Sequence, residues 1–198
     1  VFVAVTGEQL ASLEVKTGHQ RMDSVLVSSN IRQMTRLHLL VEVVQRVLRM
    51  LSEEDQAYYV EVFEPYRKGT AGQYCYRLKA EEVPEHLAPL GQVMHRLLCE
   101  LEGAYAEQPT YRILQRVFGE HFDLVAGKAE DSDWAQVRVR EDEEQRTGNL
   151  QSPDDWDATY RVKRGQPHRG YVANLTETCD PENGVQLITK VQVDSNLT

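Results

Sequence analysis

The chain has 198 residues, 41% of them hydrophobic and 27% charged, which suits a globular protein of one domain or a core carrying an insertion. No apolar stretch approaches the ~20 residues of a membrane span, and the opening VFVAV has neither the length nor the basic flank of a secretory signal. A formal net charge of −9 excludes a generic basic coat for nucleic acid.

Residues 6–15 (TGEQLASLEV) predict a short helix capped by Thr6. MDSVLVSS alternates as a strand, with Asp23, Val25 and Val27 on one face and Met22, Ser24, Leu26 and Ser28 on the other. SSN at 28–30 supplies N-cap residues for a helix through about Leu51. There Ile31, Met34, Leu37, Val41, Val44, Leu48 and Leu51 keep an i, i+3, i+7 rhythm. Arg32, Arg36, Arg46 and Arg49 fall on the opposite arc, flanked by Leu39, Val43 and Val47, so this helix is expected to pack on more than one side. Ser52 with Asp55 resembles a capping box opening a second helix to about Tyr66. RKGTAGQ reads as a loop, Pro84 to about Tyr105 as a third helix kinked near Pro89, and YRILQRVFGEHF after Pro109 as a fourth. Residues 127–158 turn polar and acidic and read as a solvated linker. YRVKR predicts a short strand, and GYVANLTET and VQLITKVQV an antiparallel hairpin around the turn DPENG. The first strand would pair with that hairpin and the helices would be an excursion from the sheet. The start on Val and the stop at VDSNLT read as ends cut from a longer protein.

Cys75, Cys99 and Cys179 fit neither a zinc spacing nor a disulfide framework, which makes a reducing cytoplasm the expected location. The six histidines include no close ligand pair. Phosphate-binding glycine loops and nucleophile elbows are missing, so carboxylates are what remains for chemistry. Asp23 heads an apolar strand face, where a carboxylate is costly to bury unless a cation, a metal or several donors hold it. It is either catalytic or a held structural residue. Asp180 belongs to the turn and reads as structural; Glu177 and Asp194 on the hairpin are weaker candidates. Charge is uneven along the chain. Residues 16–50 carry six basic and two acidic side chains, 130–157 three basic and ten acidic, and 159–173 four basic and none acidic. The basic segments are either ordinary surface patterning or local positive fields for a polyanion.

QRMDSVLVSSNIRQMTRLHLLVEVVQRVLRML resembles the first catalytic strand and following helix of bacterial insertion-sequence transposases of the DDE class. RVKRGQPHRGYVANLTETCDPENGVQLITKVQVDSNLT resembles a later block of the same proteins, in which a basic lead-in and Gly-Tyr open a strand. The resemblance implies an α/β fragment: a partial RNase H-like mixed sheet with a large helical insertion after the first strand. It divides the chain into a lead-in helix and first catalytic strand (1–29), a helical insertion (30–126), an acidic linker (127–158) and a C-terminally truncated hairpin (159–198). It implies that Asp23 is the first of three acidic metal ligands for Mg²⁺ or Mn²⁺, the second Asp and the Glu lying beyond Thr198. The implied chemistry is hydrolysis and strand transfer at DNA phosphodiesters, with one metal activating water or a 3′-hydroxyl and the other stabilising the leaving oxygen. Partners would be double-stranded DNA and a second copy of the chain on that DNA. Arg32, Arg36, Lys163, Arg164 and Arg169, from the two basic segments, are the candidate phosphate contacts. Val172, Ala173 and Asn174 depart from the Lys and His common after Gly-Tyr in that family, so no role is carried over to them. A non-catalytic DNA-binding remnant and a helical interaction scaffold are the competing readings.

Overall fold

A computed structural model describes residues 2–128, 135–144 and 146–195. The chain divides into two compact units, Val1–Asn30 with Asp157–Thr198, and Ile31–Trp156.

The first unit is built on a sheet. β1 (Gln20–Ser28), β4 (Thr159–Lys163) and β6 (Ile188–Ser195) all pair antiparallel with the 13-residue β5 (Gln166–Thr178). β1 runs along one edge of β5 from Ser28↔Gly170 to Gln20↔Thr178. On the other edge β4 covers residues 166–170 and β6 covers 171–177. The mixed sheet expected above is antiparallel in every described pair. The short connections β4–β5 and β5–β6 permit nothing else, since parallel neighbours need a long crossover. The β4–β5 turn has two central residues, Arg164 at φ 53° and Gly165 at φ 75°, the signs of a type I′ hairpin that matches strand twist. The strand begins at Gln166, four residues before the Gly-Tyr pair. Gly170, at φ +144°, marks where the partner changes from β4 to β6. A Cβ there would stand 2.2 Å from the Val27 carbonyl oxygen and 2.5 Å from the Ser29 nitrogen, so only glycine fits. α1 (Phe2–Ser12) lies against β6; it begins before Thr6, which is buried within the helix instead of capping it.

The DPENG turn is held by local bonds. The Asp180 carboxylate accepts from the Glu182 amide at 3.0 Å, and the Asn183 amide donates to the Asp180 carbonyl at 3.1 Å. The Asn183 side chain ties this turn to the Lys16 backbone through bonds of 2.8 and 2.9 Å.

The second unit is a helical core with a small hairpin. α2 (Arg36–Met50) packs against α5 (Ala71–Tyr76), α6 (Val83–Tyr105) and α7 (Pro109–His121). Leu37, Leu40, Val41, Val43, Val44 and Val47 are all buried, so α2 is enclosed on several sides as its sequence predicts. Valine-rich helices are weak in isolation, and burial is what holds this one. It starts five residues later than the rhythm suggests. Thr35, not SSN, is its cap, accepting from the His38 amide at 3.3 Å. Ser52 caps as expected, but the following helix breaks into α3 (Glu53–Tyr58), α4 (Val60–Phe63) and a 3₁₀ turn over Glu64–Tyr66. The expected loop RKGTAGQ instead runs into α5, through a Thr70/Gln73 capping box. α6 continues through Pro89.

The segment expected as an acidic linker is in part a hairpin. β2 (Phe122–Lys128) pairs antiparallel with β3 (Ala135–Val139), and the hairpin packs on α6 and α7. Residues 129–134 and 145 of that segment lie outside the described residues. In QVRVR, Val137 and Val139 turn to the core while Arg138 and Arg140 meet Asp123 on β2. Arg138 also pairs with Glu144 at 2.9 Å. Acidic side chains with the look of a solvated linker are thus partly neutralised in place.

Candidate functional site

β1 presents Asp23 near the middle of an edge strand. Direct pairing sets Asp23 opposite Leu175, which is opposite Val191, and Val25 opposite Ala173, which is opposite Val193. Paired residues share a face. Asp23 therefore stands on an apolar surface of Val25, Val27, Leu175, Ala173, Val191 and Val193, of which the four valines remain open to solvent. Asp23 is itself exposed and accepts from the Ser24 amide at 2.8 Å. Solvent, not a buried cation, offsets its charge.

The other face is mixed, with Met22, Leu26 and Val172 beside polar residues. Ser24 donates to the Asn174 side-chain oxygen at 2.6 Å, and Gln192 donates to Asp194 at 2.9 Å in the same row. Asp194 pairs with Val172, which pairs with Leu26, so it lies opposite Asp23 through the sheet. Glu177 does share the Asp23 face, but it is bonded to Arg21 at 2.6 Å. The two weaker carboxylate candidates are thus removed, one by face and one by an ion pair. Asp180 is held in its turn. The Glu182 amide, and then His19 and Lys16, hold its carboxyl below the usual aspartate range.

Among the described residues no group of three or more His, Cys, Asp or Glu side chains could hold a metal. A hard divalent cation takes about six oxygens, several from carboxylates, and Asp23 supplies one carboxylate. The described residues therefore do not make a Mg²⁺ site by themselves. The three cysteines are free thiols.

The basic candidates separate into distinct situations. Lys163 and Arg164 stand exposed at and beside the β4–β5 turn. Arg169 lies over the Tyr160 ring, its guanidinium carbon 5.1 Å from the centroid. By strand rise, these residues sit roughly 20–30 Å along β5 from the position opposite Asp23. Arg32 and Arg36 belong to the helical unit. Arg32 is exposed. Arg36 is turned inward: it donates to the backbone oxygens of Arg140 at 2.8 Å and His121 at 2.9 Å, and lies 3.5 Å from Asp142. With 17% of its side chain exposed and its Nε buried, it joins α2 to α7 and β3 and offers little to a phosphate. Its place among the DNA contacts is corrected on that ground. The helical rhythm set Arg36 on the outer arc, but the backbone oxygens of His121 and Arg140, on either side of the β2–β3 hairpin, take its guanidinium.

Beside Arg36 a cavity of about 710 Å³ is lined by Leu37, Cys75, Val83, Leu87, Val139 and Arg140, among others. A second, open cavity of about 370 Å³ lies near Arg32 and Tyr76. Sequence reasoning missed it, because RKGTAGQ reads only as a loop. The signal was present: residues 67–79 contain Arg67, Lys68, Arg77 and Lys79 and no acidic residue.

No helix among the described residues is long and apolar enough to cross a membrane. Set against family models, curated proteins and solved structures, the chain matches none of them.

Proposed function

We propose that this chain is a fragment of a cytoplasmic DNA transposase of the DDE class, acting by metal-dependent hydrolysis and strand transfer at DNA phosphodiesters. The observation that carries the reading is the accessible Asp23 carboxylate on an open edge strand of the β1–β5–β6 sheet, with a 126-residue excursion between β1 and the rest of the sheet. An edge strand of nine residues with exposed Met22, Val25 and Val27 is a surface that soluble proteins normally cover or pair. In this reading, further strands of an RNase H-like core pair there and bring the second Asp and the Glu beside Asp23. Mg²⁺ held by the completed set would supply the activation of water or a 3′-hydroxyl, and the 198 residues alone would be inactive. Lys163, Arg164 and Arg169 would hold phosphates of double-stranded DNA, with two copies of the protein on the DNA.

The test uses a chain extended past Thr198. Asp23→Asn is expected to abolish Mg²⁺-dependent DNA cleavage with DNA binding retained; cleavage at the parent rate would remove Asp23 from the site. The second reading, a DNA-binding remnant without catalysis, is favoured by the lack, among the described residues, of any group of three or more His, Cys, Asp or Glu side chains that could hold a metal. An extended chain that binds DNA but never cleaves it, with any divalent metal, would decide for that reading.

A further inference from the structure

The open cavity on the helical unit is lined by Arg32, Thr70, Gly72, Gln73, Tyr76 and Arg77. No carboxylate lines it, in a protein of net charge −9. Neither Arg32 nor Arg77 makes an ion pair with the described residues. Arg32 is drawn in from forty residues away: a Cβ on Gly72 would stand 3.1 Å from its Nη2 and 3.5 Å from the His38 ring.

The neutral polar groups in the cavity are also left as donors. The Gln73 side-chain oxygen accepts from the Thr70 amide at 3.0 Å, leaving the Gln73 NH₂ free. The Thr70 hydroxyl oxygen accepts from the Gln73 amide at 3.2 Å, leaving its hydrogen free. Two guanidiniums, an NH₂ and an O–H thus face one opening, and what they match is an acceptor-only anion such as a phosphate diester.

The wall is fixed in position. Buried Gln45 donates to the backbone oxygens of Tyr66 at 2.7 Å and Gly69 at 3.2 Å, pinning the chain that leads into α5. The two tyrosines of YCY have opposite situations. Tyr74 faces inward, bonded to His86 at 2.8 Å and 5.7 Å from the Tyr66 ring. Tyr76 is 93% exposed, a full aromatic face offered to solvent beside the two arginines. Aromatic faces next to cationic groups are how unpaired bases are held without sequence preference. A base inside a duplex is stacked on both sides and cannot lie on a side chain. The opening is also the size of one small ligand, at the low end of the ~300–1,000 Å³ of such sites, and not a groove for a double helix.

We propose that this cavity binds an unpaired nucleotide of single-stranded DNA, with Arg32 and Arg77 on its phosphate and the base stacked on Tyr76. The choice of DNA as the polyanion rests on the function proposed above; the donor-only cavity and the exposed ring do not. The site lies on the helical unit and is separate in the chain from the Asp23 strand.

The test is fluorescence anisotropy of the 198-residue protein with a labelled oligothymidylate of about twelve nucleotides, beside a duplex of equal length and inorganic phosphate as competitor. Single-strand affinity is expected to depend on Tyr76, and duplex affinity is not. Tyr76→Ala weakens single-strand binding roughly tenfold and Tyr76→Phe keeps affinity within about twofold, as stacking requires. Arg32→Gln with Arg77→Gln lowers the salt slope by about 0.7 for each phosphate no longer neutralised. Far-UV circular dichroism and thermal midpoints check that each variant folds; Tyr76, being outside the core, should move neither. Equal single-strand affinity for Tyr76→Ala and the parent overturns the proposal, as does an equal loss of duplex affinity in Tyr76→Ala. Displacement by millimolar phosphate with no dependence on Tyr76 makes the cavity a phosphate site only, and overturns the stacked base. Tyr76-dependent binding alongside an extended chain that never cleaves DNA would sink the transposase reading and leave this inference standing.

Discussion

Asp23 is exposed because β1 is an edge strand with nearly every position open to solvent, and the side of β1 on which it falls sets its neighbours. The alternation of MDSVLVSS already placed it with Val25 and Val27, and the pairing with Leu175 and Ala173 extends that face across the sheet. What the strand pattern did not contain was the fate of the other carboxylates: Glu177 is occupied by Arg21, and Asp194 is on the far face. At this scale acid sensitivity is also set. Asp123 is held below the usual aspartate range, first by its bond to Arg140 and then by Arg138. A depressed folded pKa contributes stability above the unfolded value, near pH 4, that is lost as pH falls through the folded one. Asp123→Asn should therefore flatten the acid limb of the helical unit's stability, and a pH series of thermal midpoints indistinguishable from the parent would contradict it. Arg36→Gln separates structure from binding in the same way. It should lower the thermal midpoint, consistent with losing two charge-assisted bonds worth about 1.5–3 kcal/mol each, while leaving the salt slope of DNA binding unchanged.

Among the elements, close approach decides which residues are tolerated. Gly170 lets β5 pass within van der Waals range of the Val27 carbonyl, at a φ that other residues adopt only under strain. Gly170→Ala should cost roughly 2 kcal/mol or more, read as a lowered denaturation midpoint. This is the glycine of the Gly-Tyr pair in the sequence resemblance, and the packing gives it a physical reason. Gly91 on α6 is the counterpart in the helical unit. A Cβ there would meet the Phe122 ring at 2.6 Å and Val137 at 2.9 Å, where β2 and β3 lie on the helix. Gly91→Ala should destabilise by about 1–3 kcal/mol through overpacking; an unchanged midpoint would mean the hairpin is not seated there. Both glycines look ordinary in sequence, since nothing local distinguishes a glycine required by a neighbour from one in a loop.

Across the whole molecule, the two units differ in how they are held. The helical unit encloses a continuous core around α2, whereas β1 presents exposed positions along nearly its whole length. Native-state hydrogen exchange should accordingly be slowest for amides of α2, α6 and α7, and faster for β1; the reverse order would contradict this division. Replacing Lys163, Arg164 and Arg169 by neutral residues should lower the salt slope of duplex binding by about 0.9 for each phosphate left without its cation. A slope equal to the parent's would take that cluster off the DNA.

Much of this architecture is local in origin and was legible. The amphipathic rhythm of α2, the Ser52 cap, Pro109 at the start of α7 and the turn DPENG each depend on residues within a few positions of one another, so the sequence alone determined them. The alternation in MDSVLVSS likewise determined which residues accompany Asp23. Only the tertiary structure decided what depends on remote partners. QVRVR is a strand because Asp123 and the face of α6 receive it, and Arg36 is structural because the backbone oxygens of His121 and Arg140 come beside it. Arg32 and Tyr76 share one cavity because α5 folds back beside α2. Charge and hydrophobic period are written along the chain. Whether a charge is spent on a neighbour or left for a ligand depends on what long-range packing brings beside it.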